Sequence, residues 1–443
     1  MKKQLNMSMS RRSLLGAASA LPVAAALTGC GGDSSTTAAS NASGGKATGE
    51  VNFVYMGDAS QQKQWQALFD EFGKTNPSIK LKAQGLSTNN WADFFNQVSS
   101  RLAGGQPTDM IQVATEGQRM FASKGLLSPL DDFIAKDKDI IDEYYSDMDP
   151  NLIEWNSKYG SPDGKTYYLP GEFNTMCMWC NTTLFEKAGV ELPGKEDTFT
   201  WDDFYSAAKA IKENTGAFAY RAHGEYFIAI MPWLLTNGTS SFNDDWSAPT
   251  INSPEAIEAM EFQRKLVVDG LSPQPGGTFD EASMFAQDKL ATIGRGRWGV
   301  VDLKPLDAIE KTHIIGWPTK KQQGSPVGWN GYPILKESKN KEAAWEFQKF
   351  LISKEGSSFF AQQGGTIVPA RRSVADSEAF TKGAPEGTPL LYDALSYATP
   401  IPSPDKGAQI QKAIENGWIQ ILSGIKDPEK GLNELQEELT KLV

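Results

Sequence analysis

The sequence predicts an α/β protein folded as two lobes. From residue 51 onward, strand-like and helix-like stretches alternate. That is the pattern of helices packed on mainly parallel sheets. The chain has 443 residues, and a leader of 29 leaves 443 − 29 = 414, more than one hydrophobic core organises.

The body opens on Val51-Asn52-Phe53-Val54-Tyr55-Met56, a strand-like run that ends at Gly57-Asp58. Residues 62–76 place Trp65, Leu68, Phe69 and Phe72 at helical spacing, and Pro77 stops that helix. Ile79-Lys80-Leu81-Lys82-Ala83 alternates apolar and polar, as a half-buried strand does. Asn89 or Asn90 can cap a helix over 91–102 that turns Phe94, Phe95 and Val98 inward. Gly104-Gly105-Gln106-Pro107 breaks it, and residues 109–113 form a further strand ending at Thr115-Glu116-Gly117. The alternation continues beyond, apart from a Gly- and Pro-rich stretch over 271–278. In such sheets ligands sit beyond the carboxyl ends of strands. Asp58 and Glu116 both fall at that place.

The N-terminus reads as an export signal. Lys2, Lys3, Arg11 and Arg12 precede an apolar run of mostly Ala, Leu and Gly, too short to span a bilayer, which takes about 20 residues. The run closes on Leu27-Thr28-Gly29-Cys30, which resembles a bacterial lipobox. The resemblance implies residues 1–29 as signal peptide and a lipid on Cys30. Ser10-Arg11-Arg12-Ser13-Leu14-Leu15 also resembles a twin-arginine export signal, so the export route stays open. Residues 31–49 are Gly, Ser, Thr, Ala and Asn, with Asp33 and Lys46 the charged exceptions. Such a segment buries too little to offset its ordering entropy, so 30–49 is expected as a flexible tether.

Composition excludes several partners. The leader carries four of the 43 Lys and Arg and none of the 54 Asp and Glu, so the mature chain stands at 39 − 54 = −15. An acidic body argues against nucleic acid and anionic lipid head groups. Two histidines, His223 and His313, leave little material for His triads or multi-His metal sites. Cys177 and Cys180 have CxxC spacing, which elsewhere suggests redox or zinc chemistry. Here they fall on a strand, where three residues span roughly 10 Å and point to opposite faces. A disulfide needs Cα atoms within about 7 Å. They are expected as small buried residues. The acids from Asp131 to Asp139 are expected on a solvated helix face, not in a calcium loop.

Longer motifs carry a family resemblance. Tyr167-Tyr168-Leu169-Pro170-Gly171-Glu172-Phe173-Asn174-Thr175 leads to Asn181-Thr182-Thr183-Leu184-Phe185-Glu186-Lys187-Ala188-Gly189, then Thr200-Trp201-Asp202-Asp203-Phe204. Further on come Ile293-Gly294-Arg295-Gly296-Arg297-Trp298, Gly328-Trp329-Asn330-Gly331-Tyr332-Pro333, Ala343-Ala344-Trp345-Glu346-Phe347 and Pro369-Ala370-Arg371-Arg372-Ser373-Val374. In order and spacing these resemble the extracellular solute-binding proteins of carbohydrate ABC importers (family 1, maltodextrin-binding-protein-like). The chain departs from that pattern at Cys180 and Thr182, where the family usually has Tyr and Lys.

The resemblance implies a periplasmic-binding-protein type II fold, with hinge crossings near 171–175, 328–332 and 374–380 and a ligand cleft between the lobes. Lobe one is expected over 50–172 plus 332–376, lobe two over 173–331 plus 377–443. A sugar presents apolar C–H faces and hydroxyl edges, so its site needs flat aromatic rings beside charged and amide groups. Trp298 follows a Gly-Arg-Gly-Arg turn, a poor place for a core residue, at the family's stacking position. Trp329 and Asn330 sit at a crossing. For Trp233, in an apolar helix start, core packing is a rival reading. Glu116, Asp58 and Asn174 match polar positions of the family, Glu225 and Tyr226 match a segment that supplies lobe-two contacts, and Arg297 adjoins Trp298. His223 is expected as a loop residue.

These readings imply a monomeric, lipid-anchored receptor on the outer face of the cell membrane, without cofactor or metal. It would capture a carbohydrate, a neutral sugar rather than a sugar phosphate and an oligosaccharide above all, and hand it to an ABC permease. The alternatives are a secreted glycoside hydrolase, which needs two carboxylates about 5–9.5 Å apart, and a ligand-sensing or adhesion lipoprotein.

Overall fold

The computed structural model describes residues 47–443 except 89, 195, 196 and 278. The leader, Cys30 and residues 31–46 lie outside the described residues. The strands are β1 (Gly49–Met56), β2 (Ile79–Leu86), β3 (Met110–Ile111), β4 (Val113–Ala114), β5 (Glu172–Thr175), β6 (Cys177–Asn181), β7 (Thr292–Arg295), β8 (Thr312–Ile315), β9 (Ser325–Gly331), β10 (Val368–Pro369) and β11 (Ala398–Pro400). They form three sheets, ordered β2-β1-β3, β10-β5-β9-β11 with β4 also on β9, and β7-β6-β8.

The first lobe is built on β2-β1-β3, which is parallel throughout. Phe53 on β1 is fully buried and meets Trp65 at 5.2 Å and Phe347 at 5.9 Å between ring centroids. The helix Ala59–Thr75 begins where Asp58 Oδ1 accepts from the Gln61 amide at 3.0 Å. Asn90 caps the helix Trp91–Ala103 by accepting from the Asp93 amide, and Phe94, Phe95 and Val98 are buried as their spacing predicts. The strand expected over 109–113 is split at Gln112. Its amide donates to Val54 O at 2.8 Å, and its Oε1 accepts from the Met56 amide at 3.0 Å.

The second lobe departs from the expected parallel arrangement. Both β7 and β8 run antiparallel to β6. Strand–helix alternation does not encode direction, and the long excursion between β6 and β7 lets the chain re-enter the sheet from either end. Cys177 and Cys180 on β6 are buried free thiols, and burial raises Cys177 to about 12. The helix Trp201–Thr215 starts with a reciprocal cap between Thr200 and Asp203. Beneath it, Trp201, Trp233 and Trp317 form an aromatic core, with Trp233 5.5 Å from each of the other two.

The third sheet joins the lobes. Strand β9 is antiparallel to β4 and β5 and parallel to β11, while β10 adds to β5. The stretch 374–380 is largely helical, through Arg372–Ala375 and Glu378–Thr381. Arg371 is 2 % exposed and pins this region by ion pairs to Glu143 at 2.6 Å and Asp147 at 3.1 Å.

Glu172, at the start of β5, is buried and accepts from the Tyr332 hydroxyl. Burial pushes its carboxyl up to about 8, although that hydrogen bond favours the charged form. An unfolded Glu loses its proton near 4.3. Between these values the unfolded chain releases a proton that the folded chain keeps, so stability falls as pH rises and levels off above about 8. Glu172→Gln should remove this slope. Its melting temperature, relative to wild type, should gain steadily from pH 5 to pH 8; a constant offset would mean that Glu172 titrates normally.

Candidate functional site: the cleft between the lobes

Strand ends of both lobes converge on the crossing sheet. From the first lobe comes Thr115-Glu116 after β4, beside Gly328 and Gly407. From the second come the π-helical turn Tyr226–Ile230, the turn after β7, and the helix Gly407–Leu422. Single-turn π segments are frequent at functional sites.

Here Met176, Ile228 and Ala229, with the half-buried rings of Phe227 and Trp298, form an apolar cluster separate from the main cores. The rings of Phe227 and Trp298 lie 6.4 Å apart with a 31° tilt. Gly328 on β9 marks the meeting of the lobes. A Cβ there would lie 3.4 Å from Thr115 Oγ1 of the first lobe and 3.8 Å from Phe227 Cε2 of the second.

Trp298 owes its position to a missing side chain. A Cβ on Gly296 would lie 2.4 Å from Trp298 Cζ3 and 2.7 Å from Asn174 Oδ1. The Gly before Arg297-Trp298 therefore lets the indole fold back over its own turn. Asn174 holds that turn: its Oδ1 accepts from the Arg297 amide at 2.9 Å, and its Nδ2 donates to Thr366 O at 3.3 Å. Behind the turn, Glu281 pairs with Arg295 at 2.8 Å and Arg221 at 2.9 Å, with His223 at 3.4 Å. Burial opposes its charge, but these three groups hold its carboxyl down at about 2.

The residues named from sequence divide. Trp298 and Glu116 are half-buried near the meeting of the lobes, and Asp58 is exposed just after β1. Burial, reinforced by the charge of Glu415, pushes Glu116 up to about 7. Glu225 is largely exposed, 3.4 Å from His223, which lies in a loop as expected and is buried there. Asn174 reaches the cleft floor, but both ends of its amide are engaged in protein contacts.

Five placements correct the sequence reading. Trp233 is fully buried, ringed by Trp201, Phe204, Tyr220, Phe262 and Trp317. Trp329 is 1 % exposed, its indole nitrogen donating to Asn156 Oδ1 at 3.1 Å. Tyr226 is buried with its hydroxyl on Ser241. Arg297 is 4 % exposed, stacked on Phe380 and donating to Phe380 O at 2.9 Å. Asn330 is buried within β9, paired with Ala114 and Glu172. The first three satisfy an apolar body and a polar tip inside the protein, which is how buried Trp and Tyr are accommodated.

Phe227 and Glu415 were missed. Phe227 directly follows the chosen Glu225-Tyr226, and no sequence signal says which neighbour the turn aims at the cleft. Glu415 lies on an amphipathic helix where an acid reads as solvated.

A cavity of about 790 Å³ lies elsewhere on the second lobe, lined by Trp317, Tyr397, Phe199 and the residues around them. None of the cleft residues lines it. That cavity is lined by residues 193–200, 313–324 and 386–397. Among the described residues, no cluster of three or more His, Cys, Asp or Glu could hold a metal ion.

Known proteins resemble this chain in sequence and fold. Residues 58–357 match the family described as bacterial extracellular solute-binding protein. A binding protein of Brucella abortus is 26% identical over 379 residues, covering 82% of this chain and 85% of that protein. The maltotriose-binding protein of Pyrococcus abyssi is 23% identical over 418 residues, covering 89% and 82%. Among solved structures, an ABC substrate-binding protein of Listeria monocytogenes in complex with cycloalternan has a TM-score of 0.76 at 25% identity, covering 90% of this chain and 99% of that one.

Trp298→Ala should weaken carbohydrate binding roughly tenfold or more, about 1.4 kcal/mol per factor of ten, with near-normal melting. Trp233→Ala should behave oppositely, costing about 3–5 kcal/mol of stability. Calorimetric titration and thermal melting on both variants check this. Collapse of stability in Trp298→Ala with affinity retained would return Trp298 to the core.

Proposed function

The chain belongs to the bacterial extracellular solute-binding protein family, and we propose that it captures a carbohydrate, an oligosaccharide above all, between its lobes and delivers it to an ABC permease. The observation that carries this reading is the pair of half-buried rings Phe227 and Trp298, 6.4 Å apart where the lobes meet at Gly328. Flat apolar faces next to strong acceptors suit sugar rings and their hydroxyls. The names of relatives point the same way: maltotriose, lactose and arabinooligosaccharide-binding proteins. The protein acts as a receptor rather than an enzyme, and needs no cofactor.

Closure is the mechanism. The lobes rotate about β5 and β9, and the ligand stabilises the closed arrangement by touching both. The proposed lobes are 50–172 plus 332–376 and 173–331 plus 377–443. A sugar found by thermal-shift screening, which works because binding to the native state raises its stability, should reduce the radius of gyration in solution scattering. An unchanged radius at saturation would count against hinge closure.

The receptor is tethered as a monomer outside the cell by a lipid on Cys30. Among the described residues no helix is long and apolar enough to cross a membrane. Cys30→Ser should move the protein from the membrane fraction to the medium with sugar affinity intact. Retention in the membrane fraction would rule out this anchor.

A further inference from the structure

We propose that the cavity on the second lobe is a separate binding site for a flat, uncharged aromatic compound that accepts a hydrogen bond from Tyr397. It is independent of the carbohydrate site in the cleft.

The protein itself holds the walls of this cavity in place. One wall is the edge strand β8 and the residues that follow it, Trp317 among them. Trp317 is 4 % exposed, and its ring is locked edge-on against Trp233 at 5.5 Å and Tyr220 at 6.1 Å. A second wall is the stretch 386–397, which carries Leu390 and Tyr397. It starts on β8, where the Ile314 amide donates to Glu386 O at 2.9 Å. Gly387 is required at that point: its φ is +82°, and a Cβ would run into Ile314 O. Further along, Leu391 O accepts from Thr175 Oγ1 on β5 at 2.5 Å. The Tyr392 hydroxyl accepts from the Asp149 amide at 3.2 Å and donates to Ala370 O at 3.0 Å. Leu395 O accepts from Asn151 Nδ2 at 3.3 Å. Bonds spread along this stretch keep it from settling onto Trp317. The volume of about 790 Å³ falls among small-molecule sites, which run from roughly 300 to 1,000 Å³.

The charges around the cavity are already matched. His313 faces Glu386 at 3.3 Å, Lys320 faces Glu258 at 3.6 Å, Lys321 faces Glu255 at 3.0 Å and Asp393 faces Arg372 at 2.8 Å. Asp197 accepts from the Gly194 amide of its own loop at 2.8 Å. A charged guest would have to break one of these pairs or lose its water without a partner, and either is costly. The hydroxyls of a sugar seek strong acceptors, and the carboxylates here are engaged. The rings of Phe199, Trp317 and Tyr397 remain, and an aromatic guest meets them by face or edge. The Tyr397 hydroxyl has no hydrogen-bond partner among the described residues, and burial keeps it protonated, ready to donate.

The test is calorimetric titration of the mature protein with α-naphthol and with α-naphthoate, its charged counterpart. The naphthol should bind at one site per chain, about tenfold or more tighter than the naphthoate. Gly316 supplies a blocking variant. A Cβ there would have Tyr397 Oη, at 3.9 Å, as its one neighbour within 4 Å beyond the adjoining residues, so a larger side chain enters the cavity without striking backbone. Gly316→Phe should weaken naphthol about tenfold or more, with no fall in melting temperature. Tyr397→Phe, which keeps the ring, should weaken it about threefold or more through the lost hydroxyl, and carries the test should Gly316→Phe unfold the lobe. Trp298→Ala should leave naphthol binding unchanged, because the rings in the cleft are not used. Absence of naphthol binding up to its solubility limit, or equal binding of the naphthoate, overturns the proposal. So does binding that survives Gly316→Phe, that is indifferent to Tyr397→Phe, or that is lost in Trp298→Ala, which would put the probe in the cleft.

Discussion

Strand β9 is the constraint on which the rest depends. It is backbone partner at once to β4 from the first lobe, to the crossing strand β5, and to β11. A strand hydrogen-bonded along both edges cannot shift by one residue without turning its side chains to the wrong faces. Side chains add to the lock. Thr115 Oγ1 accepts from the Trp329 amide at 2.8 Å, and Gln118 Nε2 donates to Trp329 O at 3.1 Å. The register of β9 therefore fixes where Gly328 sits, and Gly328 is where Thr115 and Phe227 approach across the cleft.

That lock explains why Trp329 belongs to the hinge and not to the ligand. Its indole is inserted below the crossing sheet and bonded to Asn156, itself tied to Tyr168 O at 3.0 Å. The same economy governs Trp233, one of several rings that fill the second lobe beside β7. Aromatic residues at crossings and helix starts serve two purposes with one composition. Local sequence does not distinguish a ring facing inward from one facing a cleft, because burial is decided by segments hundreds of residues away.

The sequence is most legible where local chemistry decides. The cap at Asn90, the reciprocal cap of Thr200 and Asp203, the inward Phe94, Phe95 and Val98, and the buried unpaired Cys177 and Cys180 all follow from spacing and short-range sterics. Trp298 at the cleft follows from Gly296 two residues before it. What sequence did not reveal is tertiary. The antiparallel sense of β7 and β8 depends on the path of a long excursion. The burial of Arg297 depends on Phe380, far from it in sequence.

These placements make the aromatic platform dependent on the hinge. The turn that carries Trp298 is attached by the Arg297 amide to Asn174 on β5, and by the Arg297 side chain to Phe380 O. Asn174 is in turn bonded to Thr366 O, close in sequence to β10, which pairs with β5. Trp298 thus belongs by sequence to the second lobe, yet its anchor is the crossing sheet. Phe227, on its π-helical turn, packs on the strand that leads to Trp298: a Cβ on Gly294 of β7 would lie 2.7 Å from Ile228 O. The two rings therefore belong to one apolar cluster of the second lobe, and they form a face that is already assembled before any ligand arrives.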